Sequence, residues 1–371
     1  MTRDVLLASG TSRIEMTHEE LHDRVSPLAR EWDLLAERLG ASPFLRPEWI
    51  GAWADAFASE PLTIVVARRK GELVGVVPLH RRSSELRSAS NEHSPEFGFL
   101  AADTDVAADL ARAIYAHGES AVRFDFIDPE DAGLIQCRQV GGRLGYRSAE
   151  RVRIRSPYLQ IEGEWEAYAR NIRQKARAEH ERRLRRLHET GNVLLDVADG
   201  SDRLDELLAE GYDLEAAGWK GERGTAIVAR DDTRAFYSGF ARAAATRRWL
   251  RLAFLRLDGR ALAFVFALEL DGVFYTLKSG FDPGFARFGP SGLLRYQLLK
   301  RAFADGLRRY EFLGDADPWK LEWTTTCHER SVFRTFAPSL RGFLAWSAHA
   351  HVLPRARRLP LAVGLRSRRR R

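Results

Sequence analysis

A mixed α/β protein made of two tandem copies of one unit is the fold this sequence predicts. Residues 65–77 read strand, tight turn, strand, with a glycine at Gly71. Residues 252–265 read the same way around Gly259. The two turn glycines lie 188 residues apart. An echo follows each hairpin, Arg123-Phe124-Asp125-Phe126 and Arg309-Tyr310-Glu311-Phe312, and its acidic residues lie 186 apart. Two nearly equal offsets argue for a duplicated unit, with a cleft between or within its halves. A length of 371 residues suits two domains.

Each element has its own signal. Residues 27–38 place Leu28, Trp32, Leu35 and Leu39 at helical spacing. A second helix opens near Trp49, with Pro47 in its first turn. After the first hairpin come a strand at 96–100, a helix at 105–116, a strand at 122–127, a helix at 133–144 and a strand at 151–161. Residues 164–190 read as the longest helix, with an apolar side of Trp165, Tyr168, Ile172, Ala176, Leu184 and Leu187, stopped by Gly191. A strand at 192–197 and a helix capped at Ser201-Asp202 follow, interrupted at Trp219-Lys220-Gly221, and then a helix at 233–245. A β-meander at 250–279 leads through a glycine-rich loop into a helix at 292–306 and a strand at 309–313. A last strand near 332–336 precedes a helical segment containing Phe343 to Trp346. No linker rich in Pro, Gly or Ser separates the halves, so they are expected to pack closely.

Composition narrows the class. With 45% hydrophobic and 10% aromatic residues the chain has material for two cores. No run reaches the apolar length of a membrane span, and the start, Met1-Thr2-Arg3-Asp4, lacks an apolar signal region. A cytoplasmic protein is the expectation. Two cysteines, Cys137 and Cys327, form neither a disulfide framework nor a metal site by themselves, and no metal is expected. The formal charge of +7 is concentrated at 170–186 and in Arg366-Ser367-Arg368-Arg369-Arg370-Arg371. Such a tail suits an anionic membrane or nucleic acid, or is a solvated end of an arginine-rich chain.

The strongest chemical signal runs from Val273 to Leu294. A strand leaves the sheet, crosses glycines at 280, 284, 289 and 292, and enters a helix. Free peptide N–H groups and the helix dipole make such an entrance an anion site that a pyrophosphate fits. It is neither a Walker loop nor a clean Gly-x-Gly-x-x-Gly.

Six stretches then carry a family resemblance: Phe44-Leu45-Arg46-Pro47-Glu48-Trp49, Gly75-Val76-Val77-Pro78-Leu79, Trp219-Lys220-Gly221, Lys278-Ser279-Gly280-Phe281-Asp282, Pro290-Ser291-Gly292-Leu293-Leu294 and Tyr310-Glu311-Phe312-Leu313-Gly314. Together with Trp319-Lys320 they resemble the BioF-type/CelD-like acetyltransferase family of the GNAT acyltransferase superfamily. The resemblance implies two tandem GNAT-like units, each a mostly antiparallel sheet flanked by helices. It implies a degenerate unit at 1–155, an acyl-CoA-binding unit at 156–340, and a helical segment with the basic tail at 341–371. Acyl-CoA, in the first place acetyl-CoA, is the implied co-substrate. The implied acceptor is an amine of a small molecule, a sugar or a cell-envelope component, as in polysaccharide metabolism.

The superfamily loop is usually Arg/Gln-x-x-Gly-x-Gly/Ala. Here Arg287 and Gly292 match, and Pro290, which has no N–H, stands in the first glycine's place. Phe281, Arg287, Gly289, Ser291, Gly292 and Leu293 are the implied cofactor-binding residues. The first unit offers only Gly98 between residues 95 and 105.

Transfer to an amine needs proximity, an oxyanion donor and a proton acceptor. Glu311, in a strand flanking the implied cleft, is the leading base, unless an arginine merely pairs with it; Asp282 is the second. Tyr296 either protonates the departing thiolate or packs in the core. Lys278, on an apolar strand, contacts acceptor or carboxylate, or else reaches to the sheet edge. Trp219-Lys220 and Trp319-Lys320 frame an acceptor pocket or are ordinary core pairs. No His/Asp arrangement beyond the adjacent His328 marks Cys327 as a nucleophile. His180 and His188 lie on the charged helix and read as solvated.

Two other functions compete. A Fem-like aminoacyltransferase would use aminoacyl-tRNA, with residues 170–186 on RNA phosphates. Against it, that helix alternates Arg with Glu, and no long coiled-coil arm is inserted. A non-catalytic basic binding protein would act through the tail.

Overall fold

The computed structural model describes residues 13–18, 27–172 and 174–349; the side chains of 13–18, 171, 174–176, 219 and 220 lie outside that description. The arginine tail lies outside the described residues as well.

The first unit runs β1 (Arg13–His18), α1 (Pro27–Arg38), α2 (Pro47–Phe57), β2 (Thr63–Arg69), β3 (Glu72–Arg82), β4 (Glu85–Ser88), β5 (Leu100–Ala101), α3 (Thr104–Ala116), β6 (Ala121–Ile127), α4 (Ala132–Arg143) and β7 (Arg147–Gln160). Two helices follow, α5 (Trp165–Asn171) and α6 (Gln174–His188), then β8 (Val193–Ala198), α7 (Leu204–Ala216), α8 (Trp219–Glu222) and α9 (Asp231–Thr246). The second unit continues with β9 (Leu250–Leu257), β10 (Arg260–Leu270), β11 (Val273–Phe281), α10 (Pro290–Ala304), β12 (Arg309–Glu311), β13 (Cys327–Phe336) and α11 (Leu340–Ser347).

The duplication is visible in the topology. β2, β3 and β4 are antiparallel neighbours, α3 crosses over, and β6 returns parallel to β4. β9, β10 and β11 repeat the pattern, α10 crosses over, and β12 returns parallel to β11. Both hairpin turns place two residues at positive φ, Lys70 (54°) with Gly71 (85°) and Asp258 (47°) with Gly259 (85°). That conformation matches the right-handed strand twist and explains the shared glycine.

The halves then exchange their last strands. β7, from the first unit, pairs with β12 of the second, while β13, from the second, pairs with β6 of the first. β7 and β13 also pair with each other, which joins everything into one thirteen-stranded sheet. Residue 155 therefore falls inside a strand that serves both units. One apolar cluster also spans them: Trp49 of α2 meets Phe236 and Phe240 of α9 edge-on at 4.9 and 4.7 Å.

Four expectations need correction. The long helix at 164–190 is two helices, because Ile172 adopts an extended backbone (ψ 141°) and buries its side chain beside Trp165 and Ala169. The strand at 96–100 shrinks to β5, since the Phe99 N–H donates to the Asp131 carboxylate (3.1 Å) instead of a strand. Arg203, in the left-handed region, caps α7 in place of Ser201-Asp202. Trp219-Lys220-Gly221 forms a short helix of its own, α8.

Candidate active site

The sheet opens where β11 and β12 part. They pair from Val273↔Arg309 to Tyr275↔Glu311, and β11 then continues along β10 as far as Phe281 without β12 beside it. Beyond β12 the chain turns away through Leu313 (φ 52°) and Gly314 (φ 63°). A bulge between Phe266 and Ala267 re-aims β11 at this point. The result is a cleft of about 580 Å³, floored by residues 276–281 and walled by Ser291, Gly292, Arg295 and residues 312–314. Gly280 is required there, because a Cβ would strike the Glu215 backbone of α7.

α10 points its N-terminus into this cleft without a side-chain cap. Gly289 takes the left-handed conformation (φ 63°, ψ 50°) and Pro290 starts the helix. The matching helix of the first unit is closed: the Asp103 carboxylate accepts the Val106 N–H (2.9 Å) and pairs with Arg69 at 2.9 Å. An anion meets free N–H groups only at the second site.

α6 lies across that entrance. Arg183 gives its Nε to Glu179 (2.5 Å), and its Nη1 hangs over Gly289. His180 is not solvated: it stacks against both Tyr296 (5.5 Å) and Trp323 (5.3 Å) beside Gly292, with Nδ1 buried and without a hydrogen-bond partner among the described residues. Burial lowers its pKa, and Arg183 and Arg295 add to the effect, so the ring is neutral. Arg295 is 8% exposed and lies 3.7 Å over the Trp319 ring. Among the described residues no carboxylate is within ion-pair distance of it, and burial draws its pKa down to about 10. Lys320 is held by the Leu313 and Asp315 carbonyls (2.8 and 2.7 Å) and by Asp317 (3.0 Å), and burial lowers its pKa.

The opposite face of β12 carries a different group. Tyr310 and Phe312 join the core under α10, so Glu311 between them emerges on the other side, 3% exposed. Its Oε1 accepts from His328 Nε2 at 3.1 Å and lies 2.9 Å from Arg309 Nε. The His328 ring stacks on Tyr158 at 4.1 Å. On the same side Lys278 Nζ lies 5.2 Å from the Tyr237 ring. Tyr237 also meets His93 of the first unit, whose pKa falls to about 4 through burial and then through Lys278.

Of the residues marked by the sequence, Phe281, Gly289, Ser291, Gly292, Lys278, Trp319 and Lys320 line the cleft together. Leu293 is buried in the core behind it. Arg287 lies over the Phe288 ring (4.8 Å). Asp282 is engaged structurally: it accepts the Gly284 N–H (2.8 Å) and pairs with Arg260 (2.6 Å). The Tyr296 hydroxyl donates to Glu181 (3.3 Å) and burial raises its pKa, so it serves α6 rather than the cleft wall. The side chains of Trp219 and Lys220 lie outside the described residues. Arg295, Arg183, His180, Trp323 and His328 went unmarked. Ser291 and Arg295, four apart on one helix face, were a legible signal; the crossing of α6 was not.

Residues 174–321 match the acetyltransferase (GNAT) domain family. No curated protein sequence matches the chain. Among solved structures, FemX is similar over 89% of this chain and 99% of its own, at 14% identity and a TM-score of 0.59. The C-terminal domain of a protein from Agrobacterium fabrum assigned as a lysylphosphatidylglycerol synthetase is similar over 88% and 95%, at 11% identity and 0.53. A conserved protein of unknown function from Bacteroides thetaiotaomicron is similar over 87% and 99%, at 13% identity and 0.53. At these identities the likenesses speak to the fold. Among the described residues no group of His, Cys, Asp and Glu is arranged to hold a metal ion, and no helix is long and apolar enough to cross a membrane. Residues 174–321, within the second half of this tandem α/β chain, thus carry the match to an acetyltransferase (GNAT) domain.

Proposed function

We propose that this chain is an acyl-CoA-dependent N-acyltransferase of the BioF-type/CelD-like kind, acting on an amine of a small-molecule, sugar or cell-envelope acceptor. One observation carries the reading. An uncapped helix N-terminus opens into the cleft left by two parting strands, and a buried arginine without a carboxylate partner among the described residues stands beside it.

The residues present fit acyl-CoA. The Ser291 and Gly292 amides, with Arg183 and Arg295, suit its phosphates, while Phe281, Trp319 and Trp323 offer apolar walls to the rest. Bound acyl-CoA supplies the thioester. The parted edge of β11 offers peptide N–H groups to the thioester oxygen. The α10 face belongs to the donor, so the amine approaches from the other face, past Lys278, Tyr237 and His93. There His328 takes the amine proton, held by the Glu311 carboxylate through Nε2 so that Nδ1 is the acceptor. The first unit, with its capped α3, shapes the acceptor side.

A Fem-like use of aminoacyl-tRNA draws on the likeness in fold to FemX. α6 offers less to an RNA backbone than its sequence suggests, because Arg177 pairs with Glu181 and Arg182 and Arg183 pair with Glu179. The test is release of free CoA thiol from acetyl-CoA across a panel of amines. The reading expects acceptor-dependent release that falls about 10²-fold or more in His328→Asn. Release from no acyl-CoA with any amine would sink it.

A further inference from the structure

α11 turns an apolar face outward. Leu340, Phe343 and Leu344 stand at i, i+3 and i+4, on one side of the helix, and are 75%, 40% and 59% exposed. The three form one apolar strip along the helix. The other side of α11 turns toward the sheet: Trp346 Nε1 donates to the Ser148 carbonyl of β7 (2.9 Å), while Gly342 packs on Ala337 in the turn that enters the helix.

The surrounding charge has one sign. Arg147 and Arg341 are exposed around it, and the Arg147 guanidinium sits over Phe343 (4.9 Å) and Trp346 (5.7 Å). Residues 336–349 contain no Asp or Glu. The next stretch, 350–371, adds eight arginines and again no carboxylate, interleaved with leucines and valines. A contiguous exposed apolar patch marks an interaction site. Leucines and a phenylalanine flanked by arginines, with no acid among them, match the boundary between acyl chains and anionic headgroups. RNA would use the arginines and leave the apolar face without a partner.

We propose that α11, with the arginines around it, docks this protein on an anionic lipid surface. The surface is independent of the cleft and of the reaction assigned to it. An acceptor embedded in or tethered to that membrane would reach the enzyme already concentrated.

The experiment is sedimentation of the full chain with phosphatidylcholine vesicles, with and without phosphatidylglycerol. Leu340→Ser/Leu344→Ser is measured beside the native protein, and its thermal midpoint, expected to be unchanged, checks that it is folded. The native protein is expected to sediment at least about tenfold better with the anionic vesicles, and the double variant to lose about tenfold of that binding. Three results would overturn the proposal. The native protein ignores both kinds of vesicle; or the variant sediments like the native chain, leaving the arginines to account for binding alone; or light scattering shows a dimer, dispersed by the variant, that ignores lipid.

Discussion

Arg295 stands out at the residue scale. A guanidinium this buried, with a ring but no carboxylate as partner, costs folding energy that a bound anion recovers. Arg295→Ala is expected to weaken acetyl-CoA binding by about 10- to 100-fold, in the range of a lost charge-assisted hydrogen bond. The thermal midpoint should stay level or rise, because the desolvation penalty disappears with the charge; a melting curve and a titration on the same sample check both halves. Glu311→Gln separates position from binding. It leaves the donor wall untouched while loosening His328, so kcat should fall about 10²-fold with KM for acetyl-CoA unchanged. A fall in stability alone, at normal kcat, would reduce the pair to a brace between exchanged strands.

At the element scale the two crossover helices make a natural control for each other. α3 is closed by Asp103 and α10 is open at Gly289. Asp103→Ala should cost about 1 kcal/mol of stability and leave acetyl-CoA binding alone. Gly289→Ala should cost a similar amount through its positive φ, and should also weaken binding, because its methyl displaces Arg183. Much of this level was legible in the sequence: the hairpins, the glycine entrance and the repeat all rest on local rules of turn and helix chemistry. The break at Ile172 was not, because an unbroken apolar stripe runs through it and only burial against Trp165 makes the chain turn. That break steers α6 across the cleft, which is why His180 read as a solvated residue; Asp282 read as a cleft residue because its turn bond to Gly284 and its pairing with Arg260 are not written in the pattern. Tyr296 packs in the core, one of its two readings, with a partner, Glu181, that comes from the same unforeseen crossing.

For the whole molecule, the exchange of β7 and β13 makes each half depend on the other. A fragment ending at residue 155 lacks the strand that covers β6, so it is expected not to fold alone, and the full chain is expected to unfold in one transition. Trp49→Ala, which empties a site shared by α2 and α9, should lower that transition by about 3–5 kcal/mol rather than melt one half. Acid should weaken the whole fold, at that junction through His93 and within the first unit through His80. His93 and His80 are both held near a pKa of about 4 by burial, below the ordinary 6.5. The unfolded chain therefore binds protons that the folded one refuses as pH drops from 6.5 toward 4. Stability should be flat above that window and decline through it, and His93→Gln should flatten part of the decline. No sequence pattern foretold the strand exchange; two similar offsets say that a unit is repeated, not how its copies share their edges.

Calorimetric titration of the full chain with acetyl-CoA, beside Gly292→Trp and Arg295→Ala, tests the central claim most directly. Gly292→Trp drives an indole toward His180 and into the donor entrance, while Arg295→Ala leaves the entrance open. The account predicts binding with a Kd of about micromolar order, abolished in the first variant and weakened in the second. A native protein that takes up neither acetyl-CoA nor longer acyl-CoAs would contradict it.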